Sequence, residues 1–462
     1  MKIVFIIISL IFLISSNSQA NEKHFLPNGF YKFLWTYNHK GKPEYLIADT
    51  VKFNEGKLEH LYIPCHKGIK GNYRKNFKYK LSKNGKKFSV SGTVNLWEDL
   101  NNAKINIKFD KDKIENFDIT KKSVKSSSSY GDYKKEEIQL KIIKVDKFKG
   151  NKFICNNEIV KFNSFSPKTA KEMLGGLKKL KKQKVYGDLY IPQTNKKKIP
   201  LIITLHPSMG FVPEHHFEYF NNLGIAILDI QTFKSRGIEK QWHYEVSEEA
   251  ATIDAYAALD KISKDSRIDK NKISVMGFSY GAMAVINTHQ SFFIDIIKPK
   301  NRFMAHIAYY PLCYLHKNIK TTKAPLYILI GEKDRLTPYE FCEDYVKKIK
   351  ENSGNAVLKV FPEATHRFDW KELKSPITMK SFSEHKKEFV LSKLDSSYPR
   401  YDIGEGVFDT TEPNGWSYFS LKDENYRKNY YSECCDIKST IKYNDKAATE
   451  SLNIIKNIFG VK

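Results

Sequence analysis

Apolar residues in this chain follow two rhythms. From about residue 185 they form short unbroken runs, IPLIITLHP, GIAILDIQ, KISVMGF, HIAYYP and PLYILIGEKD. Unbroken runs of this kind mark parallel strands whose sheet is covered on both faces. Between them the spacing becomes helical: Val246, Ala250, Ile253 and Ala257 share one face, and Gly281 to Ile286 begins a further helix. Alternating strand and helix predicts an α/β domain over residues 166–462, built on a doubly wound, mostly parallel sheet.

Residues 21–165 read differently. YLIADTVKF, KFSVSGTVNL, AKINIKF and IQLKIIKV are short strand-like segments separated by Asn-Gly, Lys-Gly and Asp-Lys steps, and Lys104 to Phe109 alternates polar with apolar. This predicts a smaller β-rich N-terminal domain, with Ser126 to Ser129 as a loop inside it. After about residue 371 the strand and helix rhythm stops until about residue 440, then returns as a terminal helix with Ala448, Leu452, Ile455 and Phe459 on one face. The stretch 371–440 is therefore expected to be an insertion before the last helix, capped by Asn444 or Asp445.

Composition changes the picture in two places. The first twenty residues, MKIVFIIISLIFLISSNSQA, combine one lysine, an apolar core and small residues up to Ala20, the pattern of a cleaved secretory signal. Export, with the periplasm as the expected destination, makes the six cysteines candidates for disulfides. Cys65 and Cys155 could close the first domain, and the pairing of Cys434 and Cys435 is open. No segment after the signal has the length of a membrane span. The net charge of +25 is carried mainly by lysine. An exported chain has little access to intracellular nucleic acid, and the densest run, Lys178 to Lys184, reads as a solvated helix face, so no nucleic-acid partner is expected.

Gly277-Phe278-Ser279-Tyr280-Gly281 is G-x-S-x-G with a buried strand before it and a helix after it. A serine placed on such a turn needs a base, and the base needs an acid to orient it. Downstream, Asp334 closes LYILIGEKD ahead of a turn and a proline, with Glu332 as the rival acid, and His366 follows the next strand in ATHRFDW. The order Ser, Asp, His predicts Ser279 as nucleophile, Asp334 as orienting acid and His366 as base. The N–H of Tyr280, at a helix start, is one expected oxyanion donor; the other is Ser208, because Pro207 has no N–H. His306, inside an apolar strand, reads as a core residue, and His215 and His216 as surface or lid residues. Adjacent histidines lack the i, i+4 spacing of a helical metal pair, so no metal and no cofactor is expected.

The ordered set LHPSMG, LDIQTFKSRG, GFSYG, YYPLC, GEKDRLTPYEFC and ATHRFDW resembles the dienelactone hydrolase-like branch of the α/β-hydrolases over about residues 185–370, with YNDKAATESLNIIKNIF matching the terminal helix. The resemblance implies an α/β-hydrolase fold and carries Ser279, Asp334 and His366 over as the triad. It also implies that Arg236 grips a substrate carboxylate, the alternative being an arginine that ties its own loop to a neighbouring carboxylate, and that Cys313 and Cys342 form a disulfide bracing the Asp334 loop. Two departures stand out: serine replaces the cysteine nucleophile of the founding lactone hydrolases, and Gly281-Ala282 replaces the usual Gly-Gly. The expected function is an exported serine hydrolase acting on a small-molecule ester or related acyl substrate through an acyl-enzyme. The alternatives are a serine peptidase of the same fold and a catalytically inactive binding protein.

Overall fold

A computed structural model describes residues 28–461 except 40–41, 55–56, 64–72, 82–86, 97–101, 111–117, 125–135, 148–152, 155–156, 239–244, 314–318, 372, 374, 381–383, 386–387 and 390–437. Residues 1–20, expected to be a signal, most of the expected insertion, and Cys65, Cys155, Cys434 and Cys435 lie outside the described residues. The chain divides into two compact units, Met1–Asn156 and Asn157–Lys462.

The first unit is made of β-strands: β1 (Gly29–His39), β2 (Lys42–Asn54), β3 (Lys57–Ile63), β4 (Tyr73–Leu81), β5 (Lys87–Leu96), β6 (Asn102–Asp110), β7 (Asp118–Val124), β8 (Glu136–Val145) and β9 (Phe153–Ile154). Six of them form one sheet in the order β7-β8-β1-β2-β3-β9, and β4-β5-β6 form a meander of their own. Tyr31, Phe33, Val51 and Phe53 are fully buried, and β1 pairs with β2 so that Tyr31 stands opposite Val51 and Gly29 opposite Phe53. Side chains two apart on each strand thus form one apolar face.

The second unit opens with β10 (Asn157–Phe165), α1 (Ala170–Leu174), β11 (Lys182–Tyr190), β12 (Ile199–Leu205), α2 (Glu214–Asn222) and β13 (Ala226–Ile230). It continues with α3 (Glu248–Ile262), β14 (Ile268–Phe278), α4 (Tyr280–His289), α5 (Ser291–Ile297), β15 (His306–Tyr309), β16 (Leu326–Gly331), α6 (Tyr339–Glu351) and β17 (Ala356–Phe361). Eight strands form one sheet in the order β10-β11-β13-β12-β14-β15-β16-β17. The pairs from β13 through β17 are parallel, and the β10-β11 and β11-β13 pairs are antiparallel. Every residue of β12, β13 and β15 is buried, which accounts for their unbroken apolar sequences. Helices α3 and α4 pack on each other and on β12 and β14, whereas α6 packs on β16 and β17. This is the α/β-hydrolase sheet, preceded by a β-rich N-terminal region.

Two local expectations change. Residues 157–165, read from sequence as the end of the first module, are the edge strand of the second unit's sheet, registered antiparallel against β11 from Asn157 opposite Tyr190 to Phe165 opposite Lys182. An antiparallel edge strand alternates like the strands before it, so its pattern carries no sign of the boundary. The lysine run 178–184 is not a helix either: it spans a short 3-10 turn at Leu177–Lys179 and the start of β11, with its lysines at the surface.

The insertion is framed by β18 (Ile377–Lys380), followed by the short β19 (Glu384–His385) and β20 (Glu388–Phe389), and by β21 (Lys438–Ile441). β18 and β21 pair antiparallel, Ile377 opposite Ile441, so the stretch leaves and returns at one place. The final helix α7 (Asp445–Ile458) is capped by the Asn444 side chain, which accepts from Ala447 N–H, and it buries Ala447, Ala448, Ser451, Leu452 and Ile455. Among the described residues no helix is long and apolar enough to cross a membrane.

Candidate active site

The sequence-predicted residues converge at the carboxyl ends of parallel strands: Ser208 lies after β12, Ser279 after β14, Asp334 after β16 and His366 after β17. Open α/β sheets place their sites at this edge because the helices crossing back leave it uncovered.

Ser279 has φ 50 and ψ −113, a backbone conformation that L-residues rarely adopt. The turn holds because its neighbours leave no alternative. Ser279 N–H donates to the Tyr309 carbonyl at 2.9 Å, and the Ser279 carbonyl accepts from Ala282 and Met283 N–H. A Cβ on Gly277 would stand 2.2 Å from the Gly281 carbonyl oxygen, and one on Gly281 would stand 2.3 Å from that of Leu205. Both glycines of the motif are therefore required by packing. The second contact also presses the first turn of α4 against the end of β12, from which the Ser208 turn emerges.

His366 Nε2 lies 3.0 Å from Ser279 Oγ, and His366 Nδ1 lies 2.7 Å from Asp334 Oδ2. The His366 and Asp334 side chains are 2% and 0% exposed, so their hydrogen bond is shielded from water. Asp334 Oδ1 accepts from the N–H groups of Leu336 at 3.0 Å and Thr337 at 2.9 Å. The Thr337 hydroxyl adds a contact of 2.9 Å to Asp334 Oδ2 and one of 3.1 Å to His366 Nδ1. Glu332, the rival acid, faces outward: its side chain is 41% exposed and accepts from Glu363 N–H at 3.2 Å. Sequence reasoning passed over Thr337, although a threonine three residues after an aspartate at a strand end is the sort of residue that closes a side-chain turn.

Residues beyond the insertion hold the histidine loop. His366 forms a parallel bridge with Ile441, Thr365 Oγ1 accepts from Lys442 N–H at 2.7 Å, and Asn444 N–H donates to the Phe368 carbonyl at 2.8 Å. The Tyr310 ring packs 4.5 Å from His366, and burial pushes its phenol well above the usual range, keeping it neutral. Arg367, with φ 59, turns its guanidinium over Trp370 at 5.0 Å, and Trp370 in turn meets Phe211 of the β12 loop at 5.4 Å.

Tyr280 opens α4, so its N–H is among the first-turn amides that have no helical acceptor. Its phenol is buried and donates to the Ser247 carbonyl at 2.8 Å, tying the residue after Ser279 to the start of α3. Ser208 lies in a turn closed by a 2.8 Å hydrogen bond from Gly210 N–H to the Pro207 carbonyl. His206 orders the same segment. Nε2 accepts from Phe233 N–H at 3.4 Å, so Nδ1 carries the proton and donates to the Pro207 carbonyl at 3.0 Å.

Arg236 does not offer a fork to substrate. Its Nε–H donates to Ser166 Oγ, Nη1 to the Thr232 carbonyl and Asp254 Oδ2, and Nη2 to the Phe165 carbonyl and Asp254 Oδ1. All five N–H groups are engaged, and the side chain is 7% exposed. Of the two roles set out for it, the structure has the loop tie and not the carboxylate grip. Cys313 and Cys342 are joined in a disulfide, Cα atoms 5.1 Å apart, linking the segment after β15 to the first turn of α6. His306 is a core residue bonded to Thr288 Oγ1 at 2.9 Å. His216 is neither a surface nor a lid residue: it is buried, with Nε2 2.7 Å from Asp369 Oδ2.

Residues 230–392 match the model of the Dienelactone hydrolase family, a span that includes Ser279, Asp334 and His366. Among solved structures, the chain is similar to a putative dienelactone hydrolase from Klebsiella pneumoniae at 13% identity, with 66% of this chain and 99% of that one covered and a TM-score of 0.37. A dienelactone hydrolase-like promiscuous phosphotriesterase from metagenomic libraries is similar at 11% identity, with 65% and 97% covered and a TM-score of 0.38. A novel thermophilic esterase from Thermogutta terrifontis is similar at 16% identity, with 40% and 79% covered and a TM-score of 0.32. The similarity of this chain to the dienelactone hydrolase family thus extends over residues 230–392.

Proposed function

We propose that the chain is an exported serine hydrolase that cleaves an ester or related acyl bond of a small molecule. The observation that supports this best is the continuous contact from Asp334 through His366 to Ser279, with Ser279 held in a strained turn at a helix start. In this reading Ser279 Oγ attacks the acyl carbonyl as His366 Nε2 takes its proton. Asp334 holds the imidazole in the Nδ1–H tautomer and stabilises the imidazolium that forms. The N–H groups of Tyr280 and Ser208 donate to the tetrahedral oxyanion, His366 returns the proton to the leaving group, and water releases the acyl-enzyme.

Export rests on the N-terminal signal pattern, and the Cys313–Cys342 disulfide suits an oxidising compartment such as the periplasm. The test is labelling by a fluorophosphonate probe alongside a panel of acetyl, longer-chain, lactone and aminoacyl substrates. Wild type is expected to label and turn over acyl esters, while a folded Ser279→Ala does neither. A folded wild type that stays unlabelled would favour a binding protein, and preference for aminoacyl amides would favour a peptidase.

A further inference from the structure

The first turn of helix α2 carries two adjacent histidines, His215 and His216. Neighbouring positions on a helix point about 100° apart and do not share a face. Yet the rings of His215 and His216 lie with centroids 4.3 Å apart and planes 34° apart. A residue far along the chain completes the group: Asp369, three positions after His366, reaches His216 Nε2 with its Oδ2. One ligand atom from each of His215, His216 and Asp369 lies within 4.8 Å of the others. The side chains of His216 and Asp369 are 0% and 1% exposed.

Hydrogen bonding leaves this group incomplete. Among the described residues, the buried His215 Nδ1 and Nε2, His216 Nδ1 and Asp369 Oδ1 have no hydrogen-bond partner within ordinary distance, although the Tyr310 phenol lies near enough to Asp369 to feel its charge. A buried polar group without a partner costs about 1–3 kcal/mol, so several around one point need an explanation. On one side Phe278, Tyr309 and Phe220 pack against the His216 ring, and the Tyr309 hydroxyl is engaged with Ser451 Oγ. A cation at the shared point would use imidazole lone pairs that have no hydrogen-bond partner among the described residues, and burial would strengthen its attraction to Asp369.

We propose that His215, His216 and Asp369 bind a divalent transition metal, Zn2+ being the first candidate, and that the ion fastens the start of α2 to the loop carrying His366. Two imidazole nitrogens and one carboxylate oxygen form a set that suits zinc and its neighbours, whereas calcium and magnesium prefer oxygen throughout. Zinc holds such ligands at about 2.0–2.2 Å, so the donors must draw together to about 3.3 Å from one another. The hydrogen bond between His216 and Asp369 gives way to coordination where His216 binds through Nε2. If His216 binds through Nε2, its proton moves to Nδ1; if through Nδ1, the Nε2–H can keep Asp369 as its acceptor.

The experiment uses the full chain without a histidine tag, stripped with a chelator and dialysed against Zn2+. Bound metal, melting temperature and the visible spectrum of the Co2+ form are measured. Wild type is expected to retain about one zinc per chain, to melt at a higher temperature with it, and to give a Co2+ spectrum of mixed nitrogen and oxygen ligation. Asp369→Asn and His215→Ala are each expected to bind zinc at least tenfold more weakly. His215 is only partly buried, so its variant serves even if Asp369→Asn does not fold. A folded wild type that retains no zinc, or variants that retain it equally well, would overturn the proposal and leave only a buried His–Asp hydrogen bond. Metal content needs no turnover, so the result is independent of whether Ser279 is a nucleophile.

Discussion

At Asp334 every carboxylate contact has a purpose in holding one imidazole. Two backbone N–H groups fix Oδ1, and Oδ2 meets His366 Nδ1 and the Thr337 hydroxyl. Asp334→Asn should leave the fold intact and lower kcat by about 10^3–10^4-fold, because an amide selects the wrong tautomer of His366. Glu332→Gln should stay within about twofold of wild type, since Glu332 points to solvent beside Lys333. Steady-state kinetics on the best ester of the panel would show which carboxylate matters, and equal losses would remove Asp334 from its role. Arg236 calls for a different readout. Its partner Asp254 is fully buried, so Arg236→Met should cost about 3–5 kcal/mol in denaturant unfolding by stranding that carboxylate. A raised KM at unchanged stability would instead return Arg236 to substrate binding.

The decisive element is the strand, turn and helix from β14 to α4. Its glycines are there to let backbones approach, not for a positive φ, and the residue that does take a positive φ is the serine. Gly281→Ala would drive a methyl group to within 2.3 Å of the Leu205 carbonyl oxygen, a clash with backbone that rotamer changes cannot relieve. We expect a loss of about 1–3 kcal/mol in unfolding free energy, with fluorophosphonate labelling of Ser279 slowed as α4 shifts. Wild-type stability and labelling in this variant would mean that α4 is free to move away from β12. The terminal segment matters at the same scale. β21 and the start of α7 bond the backbone around His366, so the loop bearing the imidazole is ordered by residues more than seventy positions later.

The stability of the whole molecule should carry a signature of the acids on α3. Glu249 is buried on the first turn of that helix, and burial pushes its carboxyl up to about 8. Glu248 beside it is pushed up by burial and then by repulsion from Glu249. The folded chain thus keeps a proton at Glu249 that an unfolded chain releases near its ordinary value of 4.5. A raised folded pKa sets the sign: the contribution is complete below about 4.5, falls as pH climbs towards about 8, and is flat beyond, with a slope of at most about 1.4 kcal/mol per pH unit. Thermal melts across that window should decline for wild type and decline less for Glu249→Gln. The same decline in both proteins would show that Glu249 does not hold the proton.

Much of this was legible along the chain. Unbroken apolar runs revealed the buried parallel strands, and the order of Ser279, Asp334 and His366, two after such runs and the third after a further strand, anticipated that they meet at one sheet edge, because a strand end fixes where its loop emerges. Local spacing could not reveal which partner a buried polar group meets. Arg236 turned inward to Asp254, Thr337 joined the aspartate and the histidine, β10 crossed the expected boundary to edge the larger sheet, and Asp369 met a histidine pair 153 positions earlier. Periodicity reports how each residue stands to its own strand or helix. Contacts between elements depend on how those elements pack, and only the folded chain decides that.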